Sequence, residues 1–284
     1  MVRTKEPVYD SRVNWRAVGA CATLCYSLME QAMTDTIQYS RSGHIGRLIL
    51  NDPERHNALG QEQLEAIQGH LHEIARDEQV RVLVVTGAGD KTFCAGASLQ
   101  QLGSGQMRDD IFQATTAQIA ELAIPTICAL NGNVFGGGVE LALSCDFRIG
   151  IEGTRMRVPA AAIGLCYPLS GISRFVERLG VNTAKRILVA SEELDAEAML
   201  EVGLLDHLVL PGQLENTAEQ MAQHIAGLAP LAVRAMKSLI QQAVSGGFDP
   251  QLARRLVDSC AESEDLQEGF AAQREKRKPR FSGR

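Results

Sequence analysis

The chain has no run of 18 or more apolar residues, so no helix of the length that spans a bilayer is expected. It has no basic excess: 28 Lys and Arg stand against 34 Asp and Glu, a formal net charge of −6. Nucleic-acid binding depends on neutralising many phosphates with clustered cations, so that class is not expected. Proline (9) and glycine (26) are too few and too scattered for a fibrous or disordered chain. The seven cysteines contain no CxxC pair, and His70 and His72 are two apart on a predicted helix and point to different faces, so no metal site is expected. Nucleotide fingerprints are missing as well. Gly87-Ala88-Gly89 lacks the later glycine of GxGxxG, and Gly89-Asp90-Lys91-Thr92 lacks the earlier glycine of a P-loop. The absence of GxSxG removes the usual α/β hydrolase.

What remains is an ordinary globular composition, 45% hydrophobic and 22% charged, in 284 residues, enough for one large α/β domain or two modest ones without covalent staples. Cys21, Cys25, Cys94, Cys128, Cys145, Cys166 and Cys260 form an odd set sitting mostly in apolar runs. They read as reduced thiols acting as small hydrophobes, in a cytoplasmic compartment. Periodic patterning begins only after Met33, so residues 1–32 read as a dispensable extension; the acidic Glu6 and Asp10 spoil a signal peptide's n-region.

From Thr36 alternation predicts a β-hairpin ending at Asn51-Asp52-Pro53. Leu64, Ile67, Leu71 and Ile74 then fall on one face of a helix, and Val82-Leu83-Val84-Val85 is a short β-branched run expected to be buried on both faces. A glycine-broken loop over 87–98, a helix around Ile111–Leu122 and a strand over Thr126–Leu130 repeat the cycle, predicting βαβ units and a largely parallel sheet. After about residue 154 strand signals disappear, and six helical segments (171–179, 182–190, 195–202, 213–227, 230–245 and 250–274) are separated by glycines and prolines. The expected organisation is an α/β core over 33–210 and a helical C-terminal region over 211–284, long enough to pack on a neighbouring subunit as well as on its own core.

Two glycine-containing loops each follow a predicted buried strand: Phe93-Cys94-Ala95-Gly96-Ala97-Ser98-Leu99, and Asn131-Gly132 through Gly136-Gly137-Gly138-Val139-Glu140 into a helix and Cys145-Asp146. A helix beginning at Gly137 or Gly138 presents unpaired N–H groups and a positive dipole end, a place to hold negative charge. Together with Asn51-Asp52-Pro53-Glu54-Arg55-His56-Asn57-Ala58-Leu59 and the ending Glu268-Gly269-Phe270 with Glu275-Lys276-Arg277, these four stretches in this order resemble the enoyl-CoA hydratase/isomerase (crotonase) superfamily from residue 36 onward.

The resemblance implies a repeated ββα core, an acyl-CoA thioester substrate with no cofactor beyond the coenzyme A it carries, and a homotrimer or pair of trimers. It implies an oxyanion hole from the amides of Ala97 and Gly137, with Glu140 as the proton-transferring acid or base. The alternative for Glu140 is a carboxylate kept at the helix N-terminus for the dipole. By the same resemblance Ala58, the loop residues Ala95, Gly96, Ser98 and Leu99, and Gly136 bind the substrate. Phe270 and Lys276 reach the nucleotide end of CoA, from this or a neighbouring subunit. The basic cluster Lys276-Arg277-Lys278-Arg280 reads either as a partner for CoA phosphates or as a solvated tail.

The pattern breaks after Val158-Pro159. A second glutamate is expected there; Ala160 stands in its place, followed by Ala161 and Ala162. The family's P-G-x-G-G is replaced by Pro168-Leu169-Ser170-Gly171-Ile172 after an unusual Cys166-Tyr167, and the loop aspartate is Ser98, which can cap the next helix. Tyr167, Cys166 and Ser170 read as pocket lining or as substitutes for the missing acid. A lone carboxylate suits double-bond migration, decarboxylation or other enolate chemistry about as well as hydration, and loss of efficient turnover would leave an acyl-CoA-binding protein.

Overall fold

The computed structural model describes residues 36–108, 110–247 and 249–284; the extension expected over residues 1–32 lies outside the described residues. Strands β1 (Ile37–Ser42) and β2 (Ile45–Leu50) form the expected antiparallel hairpin, and β2 continues in parallel to β3 (Val82–Gly87), β5 (Thr126–Ala129), β7 (Phe147–Ile151) and β10 (His207–Val209). This six-stranded sheet runs β1-β2-β3-β5-β7-β10. A second sheet is built from four short strands in the order β4 (Thr92–Cys94), β6 (Asn133–Phe135), β8 (Arg155–Arg157) and β9 (Leu194–Asp195). Each long strand of the β3, β5 and β7 series is thus followed by a short one in the second sheet, the repeated ββα plan of the crotonase fold.

Burial explains the run over 82–85, whose four side chains are fully enclosed. Val82 and Val84 face a layer containing Leu214, Ala218, Ala222 and Ile225 of the helix Leu214–Ala226, while Leu83 and Val85 face the larger core. That core takes in helix α1 (Gln61–Arg76), whose Leu64, Ile67, Leu71 and Ile74 are all buried, as the 3.6-residue period requires. Helix α2 (Leu99–Ser104), helix α3 (Ile111–Glu121) and helix α4 (Gly137–Ser144) follow.

Helix α5 (Leu169–Leu188) unites two segments read separately; Gly180, at φ 77° and ψ 162°, breaks it internally. Helices α6 (Ala196–Glu201), α7 (Leu214–Ala226) and α8 (Pro230–Ser245) fall where periodicity places them. The 250–274 segment divides into α9 (Pro250–Ala261) and α10 (Glu264–Glu275), because Ser263 accepts a bond from the Leu266 N–H and starts a new helix. The expectation of no strands after residue 154 is corrected by β8, β9 and β10, of three, two and three residues. Such short segments carry no periodicity and form because a neighbouring strand offers its edge.

Two ion pairs, each with a buried cation, join the core to later elements. Asp146, just after α4, accepts from the Thr126 N–H (2.8 Å), the Thr126 hydroxyl (3.0 Å) and Lys237 Nζ of α8 (2.6 Å). Arg148 of β7 pairs with Asp206 (3.1 Å) and donates to the carbonyls of Cys145 and Leu204. Among the described residues no helix is long and apolar enough to cross a membrane, and no cluster of three or more potential metal ligands occurs.

Candidate active site

The two glycine loops meet. Asn57 is buried and its side-chain amide donates to the carbonyls of Ala88, Thr92 and Phe93, while its Oδ1 accepts from the Asp52 N–H. This ties the 52–59 stretch to β4. Leu59 then forms a parallel bridge with Ala97: the Leu59 N–H donates to the Gly96 carbonyl and the Ser98 N–H to the Leu59 carbonyl, both at 2.8 Å. Peptide directions alternate along an extended chain, so the intervening N–H of Ala97 is aimed at the opposite edge.

Against that edge lies the start of α4. Gly136 holds φ 51° and ψ −125°, a conformation suited only to glycine. A Cβ on Gly96, itself at φ 85°, would collide with the Gly137 nitrogen, so the two turns are in direct contact. Gly137 is the first residue of α4, and its N–H has no partner within the helix. The side chain of Phe112 packs beneath it, within 2.5 Å of where a Cβ would stand.

Beside this junction is a cavity of about 250 Å³ lined by Ala95, Ala97, Gly136, Gly137, Glu140 and Tyr167 among the expected residues. Its remaining wall is largely apolar, with Met107, Phe112, Phe135, Val158 and Ile163 contributing. Ala160 lines it too and is 6% exposed, so this part of the wall carries a methyl group where the family pattern leads one to expect an acid. Among the described residues Glu140 is the sole carboxylate lining this cavity.

Glu140 is 1% exposed. Burial pushes its carboxyl above the usual range; the Thr116 hydroxyl, the Arg174 guanidinium and the Tyr167 hydroxyl partly offset this. Thr116 Oγ1 lies 3.1 Å from both Glu140 Oε1 and the Gln113 carbonyl. A hydroxyl has one proton, so it donates to Glu140 when the carboxylate is ionised, and can turn to Gln113 and accept when the acid is protonated. Both protonation states are therefore accommodated. Glu140 Oε2 has no hydrogen-bond partner. Cys94, below α4, bonds to the Asn57 carbonyl (3.2 Å), and burial pushes its thiol up to about 12, so it is a neutral packing group.

The other expected residues are placed as follows. Ser98 accepts from the Gln101 N–H (3.4 Å), the helix cap anticipated for it, and Leu99 is the first residue of that helix. Ala58 adjoins the Leu59–Ala97 bridge, half-buried and outside the cavity lining. Phe270 and Lys276 are not brought to the cavity. Phe270 is exposed on α10 and borders a separate groove with Phe281; Lys276 ends α10 in a left-handed conformation. Of the basic cluster, Arg277 is held by both oxygens of Glu268 (2.6 and 2.7 Å) and by Glu275 (2.7 Å), which favours a self-neutralised tail. Thr116, Arg174 and Phe112 escaped the sequence reading; helical periodicity marks the threonine and the phenylalanine as core, and nothing local marks any of the three as neighbours of Glu140.

The family model described as enoyl-CoA hydratase/isomerase matches residues 40–284. The chain is 30% identical to the short-chain-enoyl-CoA hydratase of Clostridium acetobutylicum, over 84% of this chain and 94% of that one. It is 32% identical to the mouse enoyl-CoA hydratase domain-containing protein 2, mitochondrial, over 95% and 96% respectively. The crystal structure of enoyl-CoA hydratase from Bacillus anthracis superposes with a TM-score of 0.80 at 30% identity, over 88% of this chain and all of that one. The chain belongs to the enoyl-CoA hydratase/isomerase family of the crotonase superfamily.

Proposed function

We propose that the cavity binds an acyl-CoA thioester, that the amides of Ala97 and Gly137 receive its carbonyl oxygen as it becomes enolate-like, and that Glu140 carries the proton. The observation that carries this reading is the convergence of Ala97, Gly137 and a buried, singly hydrogen-bonded glutamate on one apolar cavity. Each fixed donor aimed at developing charge is typically worth about 3–4 kcal/mol in the transition state, and the α4 N-terminus adds its dipole in the same direction. Glu140, three residues beyond Gly137 on the first turn of α4, stands beside the acyl chain of a thioester so held. Ala95, Gly96, Ser98, Leu99 and Ala58 line the approach of the CoA portion, which enters as part of the substrate with no separate cofactor.

The reaction is of the enoyl-CoA hydratase/isomerase type. A second reading, double-bond migration or another single-acid enolate reaction, is favoured by one observation: buried Ala160 lines the cavity and, among the described residues, Glu140 is its only carboxylate. Hydration needs water activated and a proton delivered; migration needs one base to take a proton from one carbon and return it to another. We place the protein in the cytoplasm as a homotrimer or pair of trimers. Self-association is supported by an exposed apolar stripe on α8, Met236, Ile240 and Val244, each more than half exposed. In such an assembly Phe270 and Lys276 serve a neighbour's nucleotide site.

Incubation with crotonyl-CoA, with longer and cyclic enoyl-CoAs and with 3-enoyl-CoA isomers, read by mass spectrometry and chiral separation, tests the assignment. Glu140→Gln is expected to lower turnover at least about 100-fold. Binding of thioesters without conversion of any would leave an acyl-CoA-binding protein and refute the enzyme reading.

A further inference from the structure

The wall that departs most from the family pattern, Cys166-Tyr167-Pro168, brings a second polar group to Glu140. Among the described residues, the cavity's titratable lining residues are Glu140, Tyr167 and the exposed Cys166. Tyr167 is fixed on two sides: its ring meets Phe175 edge-on at 5.8 Å and 84°, and it rests on Gly171. A Cβ at Gly171 would lie 2.7 and 2.8 Å from two Tyr167 ring carbons and 3.0 Å from Glu140 Oε2, so phenol ring and carboxylate share one small space over the first turn of α5. The other groups facing Glu140 are Thr116 on α3, whose hydroxyl serves Oε1, and Arg174 on α5; Cys94 of β4 acts on Tyr167. Oε2, the oxygen on the Tyr167 side, is the one with no hydrogen-bond partner.

We propose that Tyr167 is a positioning residue for proton transfer: its hydroxyl donates to Glu140 Oε2, completing the pair of donors that hold the carboxylate toward the acyl chain. The proposal rests on the reading of Glu140 as the proton carrier. Hydrogen bonds of this kind are often long before substrate binds and tighten in the complex. Burial and the neighbouring Glu140 charge push the Tyr167 phenol well above its ordinary value, so it remains a neutral donor. With Thr116 it gives each oxygen of a buried carboxylate one donor, in a chain whose second acid is replaced by Ala160.

The test follows the carboxyl of Glu140 directly, by infrared difference titration with Glu140→Gln identifying its band, in the wild type, in Tyr167→Phe and in protein carrying 3-fluorotyrosine at position 167. Phenylalanine keeps the ring contacts with Phe175 and Gly171, and fluorotyrosine keeps the hydroxyl as a stronger donor. The titration midpoint is expected to rise in Tyr167→Phe and to fall with fluorotyrosine. Where crotonyl-CoA is turned over, kcat is expected to drop about tenfold or more in Tyr167→Phe, the scale of a lost hydrogen bond to a charged group, with the acid limb of the kcat/KM profile moving upward and KM changing little. Midpoints unmoved by either replacement overturn the proposal alone, provided Glu140→Gln is inactive. A fully active Glu140→Gln overturns the reading of Glu140 and this proposal with it.

Discussion

Gly171→Ala isolates the packing at the carboxylate. Gly171 sits in the first turn of α5 with helical backbone, where alanine gains up to about 1 kcal/mol of intrinsic helix propensity. The added methyl would meet Tyr167 ring carbons at 2.7 and 2.8 Å and Glu140 Oε2 at 3.0 Å, closer than a methyl carbon normally comes to any of them. Relieving such overlap in a packed region costs about 1–3 kcal/mol. The two contributions oppose each other, so the net loss of stability is expected to lie between about 0 and 3 kcal/mol. Activity is expected to suffer more than stability. The strain relaxes by moving the ring and the carboxylate, and a displacement of about 1 Å of a reacting group can reduce the rate about 100-fold. Urea denaturation gives the first quantity and thioester turnover the second. A variant stabilised by the full propensity gain, with wild-type kcat, would show that ring and carboxylate do not meet over Gly171.

Two further expectations concern stability. The folded-state value of Glu140 is raised, so the fold binds its proton more tightly than the unfolded chain does, and stability attributable to this group falls as pH rises from the ordinary glutamate range through the raised value. Glu140→Gln removes that fall: the variant is expected to be more stable than wild type at neutral pH while inactive, with the difference vanishing in acid, where global unfolding is monitored by circular dichroism. Lys237→Met leaves the part-buried Asp146 with only its Thr126 donors and is expected to cost up to about 3 kcal/mol in urea denaturation, the low end for breaking a fully buried pair; a change below about 1 kcal/mol would show that Lys237 contributes little.

The chain by itself determined the long elements and the local chemistry of the turns. Hydrophobic period fixed α1 and the doubly buried β3 because the spacing of Leu64, Ile67, Leu71 and Ile74, and the unbroken run Val82–Val85, are themselves the imprint of what those faces bury. The glycines at 96 and 138 marked where backbone must approach backbone, since only a missing Cβ permits it, and the resemblance to a known family pointed to Glu140 beside them. Tertiary structure alone decided the rest. The strands β4, β6, β8 and β9 are two or three residues long, too short to carry a period, and exist because neighbouring strands complete their hydrogen bonds. Thr116 lies 24 residues from Glu140, and Tyr167 and Gly171 come from a stretch whose motif departs from the family's. Their meeting at one buried carboxylate follows from how α3, α4 and α5 pack. A carboxylate's environment depends on which groups exclude water from it and which donors remain within reach, and both are set by chain segments far apart in sequence.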